Sequence, residues 1–101
     1  MPRNAKKTNT IFIQIASYRD PQLLPTIKDL IKNAKYPENL RFGIAWQHKD
    51  EDQWDNLDEY IYDNRFKIID IDYKEAQGVC WARNLIQNLY QGETYTLQLD
   101  S

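Results

Sequence analysis

Six residues near the amino terminus, IFIQIA at 11–16, restrict the fold more than any other part of the chain. A strand with one face in water alternates apolar and polar residues, whereas this run is apolar except for Gln14 and carries three β-branched isoleucines. Such a run has to be covered on both faces, which is the situation of a central strand in a parallel sheet sandwiched by helices. Polar sequence bounds it on both sides, MPRNAKKTNT before and SYRDP after.

The rest of the chain supplies what such a strand needs. After Asp20-Pro21, a helix is predicted with Pro25 as its first regular position, because proline is tolerated only in a first turn. Leu23, Leu24, Ile27, Leu30, Ile31 and Ala34 recur at helical spacing, with Lys28, Asp29 and Lys32 on the other side, and Tyr36-Pro37 ends the element. A second strand follows over 40–46, LRFGIAW, in which Gly43 marks a bulge or a close approach of another group. In the charged stretch 47–64, Trp54, Leu57, Tyr60 and Ile61 are spaced to line one side of a short helix. FKIIDI at 66–71 makes a third strand leading to Asp72, and a second helix is expected from Gly78 to about Tyr90. Val79, Ala82, Ile86, Leu89 and Tyr90 form its inner stripe, and Gly92 stops it. Tyr95–Leu99 is the final strand and delivers Asp100 to the end of the sheet. The pattern predicts an α/β fold: a mostly parallel, Rossmann-like sheet with helices on both faces and strand one between strands two and four. Residues 1–9 read as a flexible tail and 10–101 as one unit or part of one, since no repeat or linker interrupts them.

Composition removes several function classes. With 13 Lys and Arg against 15 Asp and Glu, the chain lacks the basic field that nucleic acid requires. No apolar run reaches the length of a membrane span, and the opening segment has no apolar stretch of the secretory type. Cys80 is the only cysteine, which excludes an intrachain disulfide and a cysteine-built zinc site and is compatible with a reducing compartment. His48 has no second histidine to form a metal pair, and Trp46, Trp54 and Trp81 read as core or core-edge residues. The run KDED at 49–52 reads as solvated surface.

In open parallel sheets, ligands bind beyond the carboxyl ends of the strands, where strand order reverses. The residues delivered to that edge are Ser17, Tyr18, Arg19 and Asp20, then Gln47 and His48, then Asp72, then Asp100. An aromatic ring, a guanidinium and a carboxylate together suit a nucleotide. Each also has a plain structural role: Tyr18 as a lid on the core, Asp20 as a helix cap, Arg19 as the partner of a surface acid. Arg83 follows Ala82 of the helical stripe and so lies on the helix flank, within reach of the sheet edge. Asp100, a carboxylate directly after an apolar strand, is a metal or phosphate-site candidate, a pattern shared with phosphatases and receiver domains.

Three blocks, IASYRDPQLLPTI at 15–27, EAQGVCWARN at 75–84 and GETYTLQLDS at 92–101, together resemble metal-dependent glycosyltransferases of the GT-A fold. The resemblance is to the N-acetylglucosaminyltransferase-like family with cytoplasmic, hydroxyproline-directed members. It covers residues 10–101 and only the amino-terminal, nucleotide-sugar-binding half of such a domain. It implies that Ser17 and Tyr18 contact the nucleoside, that Arg19 or Asp20 frames it, and that Arg83 lies near the diphosphate. Asp100 would be the first acidic residue of the metal motif, Ser101 its middle position, and the ion manganese or magnesium. The implied partners are a uridine diphosphate sugar, with N-acetylglucosamine as the sugar, and a hydroxyl acceptor on protein or glycan; the implied location is the cytoplasm. On this reading residues 1–101 are a fragment of a longer polypeptide, inactive alone because the acceptor site and general base lie elsewhere. The fourth strand would then be an open edge that invites self-association. The other readings are a non-catalytic nucleotide-binding or interaction domain and a phosphatase-like hydrolase.

Overall fold

The structure is a computed structural model that describes residues 9–100, with Asp100 described by its backbone only. The tail assigned to 1–9 thus falls, apart from Asn9, outside the described residues, as does Ser101. Four strands, β1 (Ile11–Tyr18), β2 (Leu40–His48), β3 (Phe66–Asp72) and β4 (Tyr95–Asp100), form one sheet in the order β3-β2-β1-β4. Every pairing is parallel. Helix α1 (Leu23–Asn33) links β1 to β2, and α2 (Val79–Gln87) lies between β3 and β4. The expected Rossmann-like α/β arrangement is what the chain adopts, and the expected central strand is β1.

The pleat divides β1 between two cores. Ile13 and Ile15 pack with Leu23 and Ile27 of α1 and with Phe42, Ile44 and Trp46 of β2. Phe12 and Ala16 point to the opposite face, against Ala45, Ile71 and the α2 residues Ala82 and Ile86. Gly43 makes no bulge, because the β1–β2 register runs without interruption from Ile11↔Leu40 to Tyr18↔Gln47. It permits close approach instead: a Cβ there would stand 2.7 Å from the Phe12 ring and 3.1 Å from Ile86 Cγ2.

Three local expectations are corrected. First, α1 begins at Leu23, two residues before Pro25. Proline in the third helical position is harmless, since the first four N–H groups of a helix have no partner within it. Second, the stretch 47–64 contains no α-helix, only a single 3-10 turn at Asp58–Tyr60. Side chains there capture the backbone, as when Asn56 Oδ1 accepts from Asp58 N at 2.8 Å, and such local bonds compete with helix formation. Leu57 and Tyr60 still reach the α1-side core. Third, α2 ends at Gln87, and Val79 and Tyr90 are about half exposed, so the inner stripe is Ala82 and Ile86 with Trp81, Leu85 and Leu89 at its margin. Tyr90 leaves the helix so that its hydroxyl can donate to Glu93 O at 2.8 Å.

Candidate functional site

Because β2 and β3 extend from one side of β1 and β4 pairs on the other, strand order reverses between β1 and β4. A cleft of about 340 Å³ opens at the carboxyl edge of the sheet over the ends of β1 and β2, beside that reversal, lined by Ala16, Tyr18, Gln47, Tyr73, Ala76, Gly78 and Val79. Its floor is strand ends, and its wall is the turn after β3 together with the first residues of α2. Gly78 has φ +96, a left-handed conformation suited to glycine, and admits the chain to α2 without placing a side chain in the opening.

Two rings and one amide give the cleft its character. Tyr18 is 51% exposed, which rules out a role as a lid on the core and leaves its ring available at the cleft. Tyr73 stands across from β1 in the turn that follows Asp72, whose Oδ1 accepts from Lys74 N at 2.9 Å. Gln47 is buried, and its Nε2 donates to Ser17 O at 3.1 Å. That bond orients the amide and leaves its oxygen and second N–H for a ligand.

The residues expected at the site divide among different tasks. Ser17 is fully buried, in register with Trp46 and therefore on the α1 face, away from the cleft. Asp20 turns the chain into α1: Oδ1 accepts from Gln22 N at 2.9 Å, and its carbonyl accepts from Leu23 N at 3.2 Å. Arg19 pairs in two-pronged fashion with Asp52, Nε to Oδ2 at 2.7 Å and a terminal nitrogen to Oδ1 at 3.2 Å. The hydrogen bond from Arg19 holds the Asp52 carboxyl below the usual aspartate range, and the same bond raises Arg19, so the pair stays charged at neutral pH. Asp52 belongs to the KDED run read as solvated surface, yet it is buried. Arg83 is half-buried on α2, directly after the core residue Ala82. Asp100 pairs through its backbone with Ala16, a residue of the cleft floor, while its side chain lies outside the described residues.

The sequence does not single out Tyr73, although its place one residue beyond the third strand's terminal Asp72 is a usable signal. His48 is held structurally: it stacks on Trp46 at 3.5 Å between ring centroids and its Nε2 meets Asp70 Oδ1 at 2.6 Å. Trp54, expected in or near the core, is 45% exposed, and its Nε1 donates to Arg19 O at 3.2 Å. Among the described residues no group of three or more His, Cys, Asp or Glu is arranged to hold a metal, and no helix is long and apolar enough to cross a membrane.

Against known proteins, no curated protein and no solved structure matches the chain. A family model described as Glycosyltransferase (GlcNAc) matches residues 10–64 and 53–101. The two stretches overlap and together take in every strand, both helices and all residues of the cleft. The match spans residues 10–101, and the chain belongs to the GlcNAc glycosyltransferase family.

Proposed function

We propose that this chain forms the donor-binding part of a GT-A glycosyltransferase that transfers N-acetylglucosamine from uridine diphosphate N-acetylglucosamine to a hydroxyl of a protein or glycan acceptor. Membership of the family implies a nucleotide-sugar donor. The observation that carries the finer reading is the cleft over the carboxyl ends of β1 and β2, beside the strand-order reversal, lined by Tyr18, Gln47 and Tyr73. Either ring offers a face to a pyrimidine, and an amide presents an acceptor and a donor side by side, the complement of the uracil N3–H and its adjacent carbonyl. Hydroxyproline-directed transfer in the cytoplasm is the version of this activity suggested by the three sequence blocks.

In the reaction the acceptor hydroxyl gives up its proton to a general base as its oxygen attacks the anomeric carbon, the bond from that carbon to the diphosphate breaks, and uridine diphosphate leaves. Negative charge therefore grows on the diphosphate. Arg83 is assigned to that charge, because a guanidinium fixed on a helix flank stabilises it without reorganising. Asp100 is assigned as a single carboxylate ligand to manganese or magnesium. The described residues make no cage for a resident ion, but an ion that arrives with the donor needs only one or two carboxylates beside the phosphate oxygens. When bound, such an ion neutralises the leaving group.

Calorimetric titration tests the reading. Uridine diphosphate with manganese is expected to bind, adenosine diphosphate with manganese at least about tenfold more weakly, and manganese alone scarcely at all, a difference of about 1.4 kcal/mol per tenfold. Asp100→Ala should abolish the effect of the ion, and Tyr18→Ala or Gln47→Ala should weaken uridine diphosphate while sparing the fold. Equal affinity for both nucleotides, or ion-independent binding in the unsubstituted protein, would overturn it.

A further inference from the structure

Arg19 is the only non-glycine among the described residues with a positive φ, +44. An L-residue in that region suffers crowding between Cβ and its own carbonyl, so the conformation persists only where surrounding contacts enforce it. Here the contacts come from three directions. The Arg19 N–H donates to Gln47 O at 2.8 Å, the bond that closes the last β1–β2 pair, Tyr18↔Gln47. Its carbonyl accepts from Trp54, and its guanidinium grips buried Asp52 while lying 5.2 Å from the Tyr73 ring centroid. The three cleft residues Tyr18, Gln47 and Tyr73 are thereby each attached to Arg19: one as its chain neighbour, one through the backbone bond and one through the cation–π contact.

The same geometry argues against Arg19 as a ligand of the donor's phosphates. Its fork is already matched to a carboxylate, and a phosphate approaching that face would meet the Asp52 charge. We propose that Arg19 is a positioning residue: clasped by Asp52 and Trp54, it sets the separation of Tyr18, Gln47 and Tyr73 and so the cleft's selectivity for a pyrimidine nucleotide. The inference rests on the donor-cleft reading above, and it moves Arg19 from contact with the donor to support of the residues that touch it.

Three substitutions separate support from mere stability. Asp52→Asn keeps the shape and removes the charge, Arg19→Lys keeps the charge and removes the fork, and the exchange Arg19→Asp with Asp52→Arg restores an opposite-charge pair. Each single variant should lose about tenfold in uridine diphosphate affinity, the scale on which supporting contacts act, well below its melting temperature. The preference over adenosine diphosphate should shrink with it, and the exchange should recover part of both. Amide exchange supplies a readout that needs no nucleotide: the Arg19 N–H should lose protection in Asp52→Asn while those of Ile13 and Ile15 keep theirs. If the parent binds uridine diphosphate and the variants bind it equally well, the clasp has no positioning role. If the parent does not bind it, the cleft reading fails. In that case unchanged Arg19 protection in Asp52→Asn overturns the clasp as well, and selective loss sustains it as a device that shapes the cleft for another ligand.

Discussion

Asp55 is the least comfortable residue in the molecule. It is fully buried, and neither carboxylate oxygen has a well-formed hydrogen bond. Burial pushes its carboxyl above the usual aspartate range, with the His48 ring and the Trp46 indole opposing the shift. A folded-state pKa above the unfolded value gives a definite sign. Well below the ordinary aspartate pKa of about 3.9, both states are protonated and ionisation costs nothing. As pH rises from there through the raised value, the unfolded chain ionises first and stability is lost. Asp55→Asn removes the ionisation, so it should raise stability at neutral pH, by about 1.4 kcal/mol for each pKa unit by which burial raises the carboxyl. The gain should vanish in acid. Urea unfolding at both pH values measures it, and a less stable variant at neutral pH would mean that Asp55 is ionised and satisfied. Arg19 and Asp52 carry the opposite sign: the lowered Asp52 keeps the clasp closed at neutral pH, to be released only below the ordinary aspartate range.

At the scale of elements, the contact between α2 and the sheet is set by Gly43. Its missing side chain lets Phe12 and Ile86 close over β2, so Gly43→Ala should destabilise by roughly 1–3 kcal/mol through overpacking. Phe12→Leu in the same chain should restore part of the loss, because the two sites share one space. Urea midpoints decide it, and an undiminished midpoint for the single variant would show that α2 can shift. The same elements show what the sequence made legible. Strand and helix periodicities follow from burial on one face or two, so β1, α1 and the parallel order could be read from IFIQIA and the leucine stripe. Partnerships across the chain leave no such local trace. Asp52 looks like any member of KDED, and only the folded chain brings it to Arg19, 33 positions away. Ser17 looked like its neighbour Tyr18, but alternate residues of a strand face opposite sides, which is why one lines the cleft and the other is buried beneath α1.

At the scale of the whole molecule, β4 has β1 as its only partner among the described strands, and its other edge carries unpaired backbone groups. Tyr95 and Leu97 are 58% and 42% exposed, and β4 contains no lysine or proline of the kind that blunts an edge. A chain of residues 1–101 is therefore expected to self-associate as concentration rises, and Leu97→Lys should keep it monomeric. Light scattering over a concentration series tests this, and a parent chain that stays monomeric throughout would refute it. The strand order also imposes a schedule. Ile11 must pair with Tyr95, so β1 leaves a ribosome well before β4, a delay of roughly ten seconds at ordinary rates of translation. Until β4 emerges, β1 has at most β2 on one flank and lacks its partner on the other. The nascent chain therefore carries its most apolar strand half-mated, and protection during synthesis, by a chaperone or by slow release, is as much a requirement of this topology as the cleft it finally builds.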